Sequence, residues 1–150
     1  MEFKSQICTT KEQSDRLLEL GLNPETADMH YFRTVDFEGM ETWLESVIPY
    51  ERIKFNADFV GEIQLVEDNI TSAWSLHRLI ELCPEYINID GYADTTYWFK
   101  LYKLDNKIIY ENDYDRWIYL GDGDTLFDTL IDCIEWLISN KHFKQDFLNK

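Results

Sequence analysis

A chain of 150 residues that is 45% hydrophobic and 29% charged, with only 3 Pro and 6 Gly, has the composition of a globular protein. Disorder, a collagen repeat and a disulfide scaffold are excluded, and a chain of this length buries roughly two-thirds of its unfolded surface, so one domain over residues 1–150 is expected. Lys and Arg total 14 against 29 Asp and Glu, a formal charge of −15, which disfavours direct nucleic-acid binding because that begins by neutralising phosphates.

The first residues carry charge at Glu2 and Lys4 and no apolar run of signal-peptide length. The most apolar helical stretch, near Leu126 to Ile138, is broken by Asp128, Asp132 and Glu135. Neither export nor a membrane span is expected, and a cytoplasmic setting follows. Cys8, Cys83 and Cys133 form no Cys-x-x-Cys pair and read as reduced thiols, the latter two in apolar helical patterns.

Thr9 with Glu12, or Thr10 with Gln13, makes a capping box, and Leu17, Leu18 and Leu20 carry that first helix to Gly21. Asn23-Pro24-Glu25-Thr26 predicts one further helical turn, and the aromatic and β-branched run His30 to Val35 a strand. Phe37, Met40, Leu44, Val47 and Ile48 recur at helical spacing behind Asp36, with Glu38, Glu41 and Glu45 opposite, so a helix ending at Pro49 is predicted. Phe59 to Val66 reads as an edge strand and Glu67-Asp68-Asn69 as a loop. Residues 36–68 hold nine acidic against two basic residues, a net of −7, and read as a solvated or partner-facing region that also covers one sheet face.

Ser72 is the expected cap of an amphipathic helix carrying Leu76, Leu79, Ile80 and Cys83 and ending at Pro84. Four strands then follow: Tyr86 to Ile89, Thr95 to Leu104, Lys107 to Glu111 and Arg116 to Leu120, with Asp105-Asn106 as a two-residue hairpin loop. The last element is a long helix from Asp124 or Thr125, whose residues Leu126, Phe127, Leu130, Ile131, Ile134, Leu137 and Ile138 make a wide buried face. The expected fold is therefore α+β: a small antiparallel β-meander of three to five strands packed by two or three helices, including a long C-terminal helix.

No pattern names a reaction, and no catalytic residue or cofactor is expected. His30, His77 and His142 include no pair at i, i+4 as zinc enzymes require, and Ser75 and His77, two apart on a helix, point in different directions. Asp113, Asp115, Asp122 and Asp124 are the material for a metal-dependent enzyme, the alternative reading, but Trp117 and Ile118 stand where a calcium loop needs a ligand and a glycine. A loop with an acidic helix cap accounts for the same residues, so no metal site is expected.

One pattern is unusual. Asp124, Asp128, Asp132 and Glu135 fall within about 80° of one another opposite the apolar face of the last helix, with no Lys among them. Such a row imitates phosphates and is expected to bind a basic protein partner, for example a DNA-binding protein, with salt-sensitive kinetics. Glu38, Glu41 and Glu45 make a second acidic face. Aromatic side chains of the meander, among them Tyr97, Trp98, Tyr102, Trp117 and Tyr119, offer a third surface for a protein partner or for self-association.

Three stretches together resemble a family of small, uncharacterised proteins of prophages and mobile elements from Bacteroides-type gut bacteria. They are Thr9 to Ser14 leading to Leu20 through Met29, Ala73 to Leu79 with Pro84, and Asp128 to Leu137. The resemblance covers about half the chain and implies a cytoplasmic accessory role during element propagation. It transfers no site residue, and Asp36 to Asn69 matches nothing in it.

Overall fold

The computed structural model describes residues 6–35, 41–49 and 70–150. Helix α1 (Lys11–Glu19) opens on the Thr10 and Gln13 capping box: the Gln13 amide donates to Thr10 Oγ1 at 3.1 Å and the Thr10 amide to Gln13 Oε1 at 3.0 Å. Gly21, at φ 91°, ends it in the left-handed conformation that glycine adopts without steric cost. A 3-10 turn (Pro24–Thr26) capped by Asn23 follows, as its sequence signals.

Strands β1 (Met29–Val35), β2 (Glu41–Pro49) and β3 (Ile70–Ala73) form an antiparallel sheet in the order β2-β1-β3. This corrects the predicted helix before Pro49. The apolar spacing there fits a helix, but Thr42, Trp43, Val47 and Ile48 favour a pleated chain, and pairing with β1, with His30 opposite Ile48 and Tyr31 opposite Val47, satisfies its backbone. Residues 36–40, the predicted strand Phe59 to Val66 and the loop Glu67 to Asn69 lie outside the described residues, and so does most of the predicted cover for the sheet face.

Helix α2 (Leu76–Leu82) is capped by Ser75, not Ser72. Ser72 is taken up by β3, opposite His30, while the Ser75 amide and hydroxyl both donate to the Asp28 carboxylate and Ser75 Oγ accepts from the Arg78 amide. Strands β4 (Tyr86–Asn88), β5 (Thr96–Tyr102), β6 (Lys107–Glu111) and β7 (Trp117–Asp122) form the antiparallel meander in sequence order. Helix α3 (Leu126–Ser139), capped by Thr125, lies on it. The architecture is α+β, with the meander and the long C-terminal helix that the sequence predicts.

The hairpin between β5 and β6 departs from its prediction. Tyr102 pairs with Lys107, so the connection has four residues and Leu104 is exposed outside the strand. Asp105 and Asn106 sit at φ 62° and 47°, a conformation Asp and Asn tolerate and Gly prefers. Asp105→Gly is therefore expected to raise stability by a few tenths to about 1 kcal/mol. A urea midpoint that rises at unchanged slope checks this, and a lower midpoint contradicts it.

One cluster of buried side chains ties these elements together. Leu17 and Leu22 come from α1 and its exit, Trp74, Leu79 and Leu82 from β3–α2, and Ile87, Ile108 and Tyr110 from the meander. Phe127, Leu130, Ile131, Ile134 and Leu137 come from α3. The Tyr110 hydroxyl, inside this core, donates to the Pro84 carbonyl at 2.7 Å, and burial pushes its ionisation well above the ordinary tyrosine value.

Candidate functional site

In a strand, alternate side chains leave on opposite faces. Tyr97, Phe99 and Leu101 of β5 pack on the core, so Trp98, Lys100 and Tyr102 face away from α3. Register then builds a row across the sheet. Tyr86 pairs with Trp98, Trp98 with Glu111, and Glu111 with Trp117. A second row runs Lys100, Ile109, Leu120, and a third Tyr102, Lys107, Asp122.

A bulge makes the first row possible. Between Tyr110 and Glu111 the β6–β7 pairing slips, and the two β7 residues at the slip, Ile118 and Tyr119, both pack inward. Without the extra residue, Trp117 would share the inward face of Tyr119; with it, Trp117 joins Leu120 on the outer face. Tyr86, Trp98, Tyr102, Trp117 and Leu120 are between 41% and 58% exposed, high for such side chains on a regular sheet.

Polar contacts hold this face in shape. The Tyr86 and Trp98 rings lie 5.4 Å apart at 53°, and Lys107 sits over the Tyr102 ring at 4.7 Å. Lys100 Nζ donates to Glu111 Oε2 at 2.8 Å, with the Glu111 side chain only 16% exposed. That bond holds the Lys100 ammonium above its ordinary value. Two lysines against Glu111 and Asp122 leave these rows charge-balanced in a chain of net charge −15.

Of the aromatic residues expected on this surface, Trp98, Tyr102 and Trp117 are on it. Tyr97 and Tyr119 are not. Strand alternation turns Tyr97 into the core, and the bulge sends Tyr119 onto Trp136, 4.9 Å away.

The acidic row of α3 is compensated by a neighbouring helix. Arg16 of α1 donates to Asp132 at 2.8 Å and to Glu135, and Gln13 donates to Asp128 at 2.6 Å. Asp128 Oδ2 also accepts from the capping Thr125 hydroxyl at 2.9 Å, while the Asp128 amide donates to Thr125 Oγ1 at 3.2 Å. Three of the four carboxylates thus form a seam between α1 and α3, and the expectation of a bare, uncompensated row is corrected. Asp124 precedes the helix and is exposed. The Arg16 pairs are nearly half exposed, so Arg16→Ala is expected to cost no more than about 1 kcal/mol, less at high salt. Urea unfolding at two salt concentrations measures it, and a salt-independent loss of several kcal/mol would contradict the assignment. Glu41 and Glu45 lie on strand β2 and not on a helix face, and Glu38 is outside the described residues.

The aspartates of the alternative reading do not converge. Asp113 and Asp115 occupy the β6–β7 connection while Asp122 ends β7 and Asp124 follows it, about 17 Å away along the strand. Among the described residues no group of three or more His, Cys, Asp or Glu could hold a metal ion. Ser75 Oγ is committed to Asp28 and the α2 cap, and His77 pairs with Glu81 at 3.0 Å. A hollow of 390 Å³ at the start of α1, lined by Thr10, Lys11, Glu12 and Tyr31, holds no nucleophile-base pair. Cys8, Cys83 and Cys133 are free and buried. The hydrogen bond that the Cys133 thiol makes to Cys83, together with burial, pushes its ionisation up, and burial does the same for Cys8. No helix among the described residues is long and apolar enough to cross a membrane.

His30 is buried in β1, and burial holds its imidazole below the ordinary value of 6.5, opposed by Asp28. A depressed folded value means that the unfolded chain takes up the proton first. The stabilisation is complete above pH 6.5 and is lost as pH falls through the folded value. His30→Gln is expected to flatten the stability profile below pH 6.5 in urea titrations, and an unchanged slope would contradict it.

No family model, no curated protein and no solved structure matches this chain.

Proposed function

We propose that this chain is a non-enzymatic binding protein that engages a basic protein partner through the outer face of its four-stranded sheet. One observation carries the reading: five large apolar side chains, two of them Trp and two Tyr, stand exposed on one face of the sheet, with Tyr86, Trp98 and Trp117 in a single cross-strand row. Trp and Tyr dominate the energetics of protein interfaces, and a patch of this kind marks an interaction site more often than a solvated surface. The surrounding charge of −15 supplies the partner's sign, because it steers a cationic protein toward the molecule and repels acidic ones. An accessory role in a prophage or mobile element, where DNA-binding host proteins are natural basic partners, fits this reading.

Removing both tryptophans from the face tests it. Basic proteins retained by immobilised wild-type chain at low salt are expected to be lost from the Trp98→Ser, Trp117→Ser double variant and weakened at physiological salt. Equal retention by the two chains would contradict the proposal.

A further inference from the structure

We infer that Trp98, Glu111 and Trp117 form a recognition slot for an arginine side chain of the basic partner, an inference that rests on the reading above. The three residues are consecutive in one cross-strand row, with the carboxylate in the middle. Neighbouring strands are about 4.8 Å apart, so Glu111 stands midway between the Trp98 and Trp117 positions, with about 5 Å of strand spacing to each. That is inside the range of about 6 Å at which a ring face attracts a cation.

Glu111 supplies the opposite charge. It is largely shielded from solvent, where a charge-assisted hydrogen bond is stronger than in water. Lys100 takes Oε2, and among the described residues nothing is hydrogen-bonded to Oε1. Tyr86, against Trp98 at 5.4 Å, limits the freedom of that indole on the far side. A guanidinium fits this arrangement better than an ammonium: it is planar, stacks on aromatic faces, carries its own fork of donors and is more weakly hydrated. Lys100, a strongly hydrated point charge on a half-exposed stem, already meets the carboxylate from the neighbouring row.

The probe is tri-arginine amide, with tri-lysine amide of equal charge as its control, titrated into the full chain at low salt. The five tryptophans give five indole N–H signals in a nitrogen–proton spectrum. Tri-arginine is expected to move the signals of Trp98 and Trp117 and leave that of buried Trp74 in place. Tri-lysine should act on them several-fold more weakly, and Glu111→Gln should weaken tri-arginine by about tenfold. Trp117→Ala, at an exposed edge position, leaves the core intact and should abolish the shift at Trp98. If tri-lysine matches tri-arginine and Glu111→Gln changes nothing, the slot is overturned, while shifts elsewhere on the surface would leave the basic-partner reading standing. No shift anywhere with either peptide would overturn both.

Discussion

Deletion of the chain from Leu126 onward is expected to leave an unfolded polypeptide. Helix α3 places Phe127, Leu130, Ile131, Ile134 and Leu137 in the core, each 5% exposed or less, with Cys133 beside them. At about 1.5–3 kcal/mol for each large side chain, their burial is worth roughly 8–15 kcal/mol, the size of a whole domain's net stability. The deletion also removes the tail that closes the exit of α1, where the Asn23 amide donates to the Phe147 carbonyl and the Asn149 amide to the Gly21 carbonyl. It further uncovers the inner face of the meander, including Ile108 and Tyr110. The truncated chain should lose near-ultraviolet circular dichroism and amide shift dispersion, and a cooperative thermal transition in it would contradict this account of the core. A single cavity on the same helix, Leu130→Ala, should cost about 2–5 kcal/mol without unfolding the chain.

Trp74→Ala is the point substitution expected to be most damaging. Trp74 is fully buried where β3 passes into α2, and three bonds anchor it. Its amide donates to Thr9 Oγ1 at 3.0 Å, its carbonyl accepts from the Thr9 amide at 2.9 Å, and its indole donates to Thr26 Oγ1 at 3.0 Å. It therefore joins the segment before α1, the 3-10 turn and α2. Truncation to Ala leaves a large cavity and orphans the Thr26 hydroxyl as an acceptor, at a cost of about 3–5 kcal/mol. For a chain of this size the melting temperature should fall by about 10 °C or more. Trp74→Phe keeps much of the packing and should cost clearly less. Equal melting temperatures for the Ala variant and the wild type would remove Trp74 from the centre of the fold.

Local signals in the sequence located most elements. Thr10 and Gln13, Asn23-Pro24 and Thr125 mark helix starts through contacts within one turn. Long-range choices stayed hidden. Strand β2 has an apolar spacing that suits a helix, and only its partner β1, many residues away, decides the matter. Ser72 is the cap expected from the sequence, whereas Ser75 is fixed as the cap by its bonds to the distant Asp28 carboxylate.

The candidate site shows the same limit. A two-residue loop at Asp105-Asn106 would pair Trp98 with Asp113, whereas the four-residue connection pairs it with Glu111. Because the slip is two residues, faces are kept and partners change. The bulge that turns Trp117 outward has no sequence signature of its own, and the compensation of the α3 carboxylates by Arg16 depends on how two helices pack.

The most direct measurement is photo-crosslinking of the full chain to its partners from position 102, on the aromatic face at the end of β5, and from position 15, on the exposed side of α1. A basic protein should be captured from position 102, less at higher salt and not when Trp98 and Trp117 are replaced, with little capture from position 15. Capture from position 15 alone, or equal capture from both sites that ignores the tryptophans, would contradict it.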